Sequence, residues 1–100
     1  MAQIYEVTVE YTGADAQGFE TYMSDTHIPE VLATGCFAAA FFAKEGSRYT
    51  VGYHVDTPDD MRHYLDDFAP KLRDDVTSRF GTTIAISRRT LDIIRLYGGG

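Results

Sequence analysis

The residues best able to move protons near neutral pH are the three histidines, because an unperturbed imidazole titrates at about 6.5. His27 stands just before Ile28-Pro29, where a helix must be interrupted, and a histidine at such a junction can serve as a general acid or base. The competing structural role is a ring bonded to a frayed helix carbonyl, fixing the bend. His54 shares a strand face with Arg48 and Thr50, so a catalytic or ligand-contacting role competes with that of an exposed strand-end histidine. His63, between Arg62 and Tyr64, lies off its helix's apolar stripe and reads as solvated. Glu6 and Glu10 flank Thr8 on one face, about 13 Å apart along an extended strand, too far for a paired-carboxylate glycosidase. Within a closed structure each needs a cation from Arg48, Arg88 or Arg89, and an ion pair is as good a reading as a catalytic base.

The tyrosines form a second group. Tyr5, Tyr11, Tyr49 and Tyr53 occupy alternate strand positions, with Tyr22 and Tyr64 on helices. Aromatic residues at these spacings are usually core, yet so many phenols need polar partners, and a phenol-lined cavity suits a flat aromatic or polyketide-like ligand. Metal signals are poor: His27 with Glu30 is interrupted by Pro29, and His54 with Asp56 is an isolated pair. No cysteine pair, phosphate loop or nucleophile elbow occurs. Neither a metal nor an organic cofactor is expected.

These residues must be held by particular elements. Residues 4–11 alternate, with Tyr5, Val7, Val9 and Tyr11 on a dry face and Glu6, Thr8 and Glu10 opposite, which predicts a strand. Ala16, Phe19, Tyr22 and Met23 mark a helical stripe. Thr12 and Asp15 weakly resemble a capping box, and the helix is expected to break before Pro29. A short helical turn over 29–34 then closes at Gly35. Residues 36–43 predict a buried strand, 44–47 a polar turn, and 48–55 a strand with Tyr49, Val51, Tyr53 and Val55 facing one way. Thr57-Pro58-Asp59-Asp60 is the strongest helix start in the chain. Its stripe is Met61, Tyr64, Leu65 and Phe68, interrupted at Pro70 and resumed by Leu72, Val76 and Phe80 up to Gly81. A last strand runs from near Thr83 through Leu91. Beyond it Ile93, Ile94, Leu96 and Tyr97 are too apolar for a free tail.

The order strand, helix, strand, strand, helix, strand is the α+β, ferredoxin-like βαββαβ arrangement, a four-stranded antiparallel sheet with both helices on one face. A single domain over 1–97 with a flexible glycine tail, 98–100, fits the 100 residues. With 9 basic and 15 acidic residues the net charge is −6, which argues against nucleic acid and anionic membrane partners. One cysteine, Cys36, forms no intrachain disulfide and reads as a small core residue. No leader or membrane-length apolar run is seen, so a cytoplasmic protein is expected.

The run Tyr5-Glu6-Val7-Thr8-Val9, the stretch from His27-Ile28-Pro29-Glu30 through Gly35-Cys36-Phe37, Arg48-Tyr49-Thr50-Val51 with Tyr53, Tyr64-Leu65 and Arg79-Phe80-Gly81 together resemble an uncharacterised bacterial family. Its members, domains of unknown function of roughly this length, belong to the dimeric α/β-barrel superfamily. The resemblance covers nearly the whole chain, and 27–35 is its most specific part. It implies a homodimer whose sheets pack face to face, in a superfamily that holds polyketide cyclases, cofactor-free monooxygenases, haem-degrading enzymes and muconolactone isomerases. Family members often carry tryptophan near Tyr22 and glutamine at Gly52. Glycine there is expected to leave room on the inner sheet face.

The expectation is therefore a homodimer acting without metal or cofactor on a small hydrophobic or aromatic metabolite, as cyclase, isomerase or monooxygenase, in biosynthesis. Its catalytic residues are His27, Glu6 and His54; its ligand-binding residues are Thr8, Tyr22, Tyr49, Thr50, Gly52, Tyr64 and Arg88. The alternative is a non-catalytic binding or structural dimer with a filled lumen. Haem ranks behind both, since His27 serves as an axial ligand only if it turns inward.

Overall fold

The structure, a computed structural model, describes residues 1–99, so the last residue of the expected tail, Gly100, lies outside it. Four strands, β1 (Gln3–Tyr11), β2 (Ala39–Glu45), β3 (Arg48–Val55) and β4 (Ile84–Asp92), form one antiparallel sheet in the order β2-β3-β1-β4. Helices α1 (Ala16–Tyr22), α2 (Ile28–Ala33), α3 (Pro58–Asp67) and α4 (Ala69–Phe80) complete the ferredoxin-like α+β fold read from the sequence.

The strand alternation decides which face is dry. Tyr5, Val9, Tyr11, Tyr49, Val51, Tyr53 and Val55 are all buried against the helices, so this face excludes water along both central strands. Two aromatic groups fill the space. Tyr5, Phe37, Tyr53 and Tyr64 meet with ring centroids 4.8–6.1 Å apart. Phe19 stacks on Tyr11 at 4.7 Å and meets Tyr49 and Phe80 edge-on.

The helix ends follow their local chemistry. Thr57 Oγ1 accepts the Asp60 N–H at 3.1 Å, and Pro58 opens α3. Asp15 caps α1, accepting the Gly18 N–H at 2.9 Å, whereas Thr12 hydroxyl donates to the Thr83 carbonyl. The capping residue is thus Asp15, and Thr12 belongs to the sheet end. Gly81 stops α4 at φ 54°, ψ −125°, a conformation that only glycine adopts without strain.

The expected break before Pro29 takes another form. Met23–His27 makes a π-helical turn, with the Ile28 N–H bonded to the Met23 carbonyl, and α2 follows with no interruption. A proline in a regular α-helix would strike the Asp25 carbonyl four residues back, and the wider turn relieves that clash. A second departure is β2, which begins at Ala39. Cys36 and Phe37 precede it as buried core residues.

The opposite sheet face has no helix over it. Glu6, Thr8, Glu10, Arg48, Thr50 and His54 lie there with Phe41, 52% exposed, and Leu91, 38% exposed. Farther on, Ile94, Leu96 and Tyr97 are also exposed. No helix among the described residues is long and apolar enough to cross a membrane.

Candidate functional site

A recess lies between the sheet and the helices, walled by Tyr5, Val7, Val9, Val51, Tyr53, Ile86 and Arg88 from the strands. Met23, His27, Tyr64, Arg73 and Val76 close it from the helices. About 30 Å³ of it is accessible to the centre of a water molecule, room for about two waters.

The π-helical turn sets His27 there. Met23 and His27, four residues apart, both face the recess, and π-helical turns often mark functional sites. His27 Nδ1 is buried and has no hydrogen-bond partner. The structural role considered from sequence, bonding to a frayed carbonyl, is not the one it plays. Burial lowers the imidazole pKa to about 4; the Arg88 charge acts the same way, and Asp75 opposes it. The ring is therefore neutral at pH 7.

Arg73 comes from α4. Its Nη2 donates to the Tyr5 hydroxyl at 3.0 Å, while Nε is buried without a partner. Arg88 reaches the same recess because on β4 it sits directly opposite Val7 of β1, which places it on the helix face. Burial raises the phenol pKa of Tyr64 to about 12 and that of Tyr53 further still, with neighbouring tyrosines adding to both shifts. Both phenols stay protonated and can donate. Among the described residues no carboxylate lines this recess.

The sequence-derived candidates divide between the two faces of the sheet. His27, Tyr64 and Arg88 converge at the recess. Glu6, Thr8, Thr50, Gly52 and His54 lie on the other face, so Glu6 and His54 do not join His27 in one site. Glu6 takes Arg89 as its cation at 2.9 Å, and Glu10 accepts the Ser47 hydroxyl at 2.8 Å. Arg88, considered above as a partner for these acids, faces away from them. His54 Nε2 lies 3.5 Å from Asp56, and exposed His63 lies 2.9 Å from Asp67.

Tyr49 donates to Glu20 at 2.7 Å, outside the recess, and Lys44 meets the same carboxylate at 2.8 Å. Tyr22 lies under the Arg79 guanidinium at 4.6 Å and borders an outer groove. The room expected at Gly52 is taken: the Phe41 ring covers it from the paired position on β2, where a Cβ would collide with ring carbons.

Arg73, Tyr5 and Tyr53 complete the recess. The two tyrosines were legible as helix-facing phenols. Arg73 left a fainter trace, three residues before Val76 on the flank of the α4 stripe.

The fold and site define a ferredoxin-like α+β protein with a small, mainly apolar recess, edged by a few polar groups, on the helix side of its sheet. The chain belongs to the family described as a domain of unknown function (DUF4286), whose model matches residues 2–94. No curated protein sequence matches it. Among solved structures it is similar to SnoaB, a cofactor-independent oxygenase from Streptomyces nogalater, with 14% identity, 95% of each chain covered and a TM-score of 0.74. A dimeric ferredoxin-like protein from an uncultured marine organism shares 6% identity over 99% of this chain and all of its own, at a TM-score of 0.72. A MhuD variant with two manganese protoporphyrin IX molecules per active site shares 14% identity over 97% and 99%, at 0.71. At these identities the likeness speaks to the fold. A porphyrin does not fit this recess as it stands, where about 30 Å³ is open to the centre of a water molecule.

Proposed function

We propose that the chain is the subunit of a homodimeric small-molecule enzyme that works by proton transfer, without metal or organic cofactor, on a hydrophobic or aromatic metabolite. The observation that carries this reading is His27: a neutral imidazole whose buried Nδ1 has no protein partner, in a recess that also holds two guanidiniums and three phenols. Buried polar atoms are normally bonded, and those left open at a cavity are suited to a ligand.

The chemistry follows from the groups present. Neutral His27 accepts a proton from an activated C–H or phenolic O–H of the substrate, and the electron pair stays on the substrate as an enolate or phenolate. Arg73, Arg88 and the Tyr53 and Tyr64 hydroxyls are able to stabilise that developing negative charge. The anion then closes a ring, takes its proton back at another carbon, or meets dioxygen. In the last case an activated CH₂ becomes a carbonyl and water carries off the second oxygen and both hydrogens, which balances without a reductant. The similarity to a cofactor-independent oxygenase supports this general kind of reaction.

The uncovered sheet face, with Phe41 and Leu91 exposed, supports face-to-face pairing of two copies. A second reading, a non-catalytic dimer whose recess holds only ordered water, is favoured by the small volume of the recess.

The test is exchange of substrate C–H hydrogens in deuterated water, followed by NMR across a panel of hydroxylated aromatic ketones, with oxygen uptake recorded in parallel under chelator. Exchange on at least one member that falls by about 10²-fold or more in His27→Gln supports the enzyme. Exchange no faster than that of His27→Gln across the panel leaves the water-filled dimer.

A further inference from the structure

We propose that the recess is built to take a small anion with an apolar body, its charged oxygens met by Arg73 and Arg88 and its body set against the aliphatic wall. The proposal rests on the location given to the site above, and it names the substrate class.

The argument begins with charge. The chain is acidic, with 15 carboxylates against 9 basic side chains, yet the recess wall carries two arginines and no acid. Lys44, Arg62, Lys71 and Arg89 each pair with a carboxylate. Among the described residues Arg48, Arg73, Arg79, Arg88 and Arg95 enter no ion pair, and of these five Arg73 and Arg88 line the recess. In a protein with acids in excess, two cations lining one apolar recess, with Asp75, the acid whose charge reaches His27, already paired to Lys71, are arranged for an anion that comes from outside.

Geometry narrows the class. Arg73 is half-buried, with one Nη spent on Tyr5 and its Nε left open. A guanidinium held this way is costly until an acceptor arrives, and a carboxylate or enolate offers the matching pair of oxygens. About 30 Å³ of the recess is open to the centre of a water molecule, which limits the ligand to a small one. Val9, Val51 and Val76, all buried, with Val7 and Ile86 give the recess an apolar lining against which the body of that ligand rests.

The experiment is calorimetric and NMR titration of the full chain with benzoate and naphthoate, and with benzamide and naphthamide as uncharged counterparts, at constant ionic strength. Each carboxylate is expected to bind at least about tenfold more tightly than its amide. Arg88→Gln changes an exposed side chain, so folding is not at risk, and it is expected to abolish that preference. Arg73→Lys keeps the charge but loses the fork, and is expected to weaken carboxylate binding by about tenfold. Arg48→Gln, on the other face of the sheet, is expected to leave binding unchanged.

The proposal is overturned if neither carboxylate binds at concentrations of about 10 mM, or if acid and amide bind alike. It is equally overturned if Arg48→Gln costs as much as Arg88→Gln. Its fate is separable from that of the proton-transfer reading. Carboxylate-selective binding with no His27-dependent exchange on the ketone panel upholds the anion site and removes the base. Exchange on neutral ketones with no preference for carboxylate does the reverse.

Discussion

His27 makes the stability of the fold depend on pH in a direction set by its burial. In the unfolded chain the imidazole takes its proton near 6.5, and in the folded protein near 4. Between those values the unfolded state binds a proton that the folded state refuses, so stability falls as pH falls through that window. The contribution is intact above about 6.5 and is lost progressively toward 4. At about 1.4 kcal/mol per pH unit the full interval amounts to about 3 kcal/mol. Between about pH 7 and about pH 4.5 the loss is about 2 kcal/mol, after allowing for the part of the ring that still meets water.

The assay is urea unfolding of wild type and His27→Gln at both pH values, at one fixed protomer concentration so that assembly does not enter the comparison. Carboxylates destabilise both proteins alike in acid, so the informative quantity is the difference between their losses. Wild type is expected to lose about 2 kcal/mol more than the glutamine variant. Equal losses would mean that His27 titrates normally, and the picture of a buried neutral imidazole on the recess would fall.

Replacing Phe19, 1% exposed and packed on Tyr11, Tyr49 and Phe80, by alanine is expected to cost about 3–5 kcal/mol in the same unfolding assay. Thr57→Ala removes the α3 cap and is expected to cost about 1 kcal/mol. Gly52→Gln must push the Phe41 ring off the sheet; because that ring is half exposed, the melting midpoint is expected to shift little while Phe41 ring resonances move. A large loss of stability would show that the ring is pinned. Light scattering at micromolar concentration is expected to report a dimer that Phe41→Asp weakens, and a strict monomer would remove the proposed pairing of the uncovered face.

Much of the fold is legible along the chain because its determinants are local. Alternation over β1 and β3 names their buried sides, Thr57-Pro58 starts α3, and Gly81 ends α4, each through a period or a backbone preference carried by neighbouring residues. The helical stretch around Pro29 is less legible. The proline predicts an interruption, but a π-helical turn satisfies the same steric demand while keeping the chain helical, and the difference turns a structural histidine into one that faces a cavity.

The site is harder to read for a different reason. Arg88 and Arg89 are adjacent, so they must point to opposite faces of β4, but which one joins Glu6 and which joins His27 depends on the register of β4 against β1, a contact between residues more than 80 positions apart. Arg73 on α4 likewise has no local mark of function and gains one only where its helix lies across Tyr5. Side-chain types and their periodicity determine what each element presents. The company each side chain keeps is decided by long-range pairing and helix placement, because a one-residue change in register exchanges the two faces of a strand.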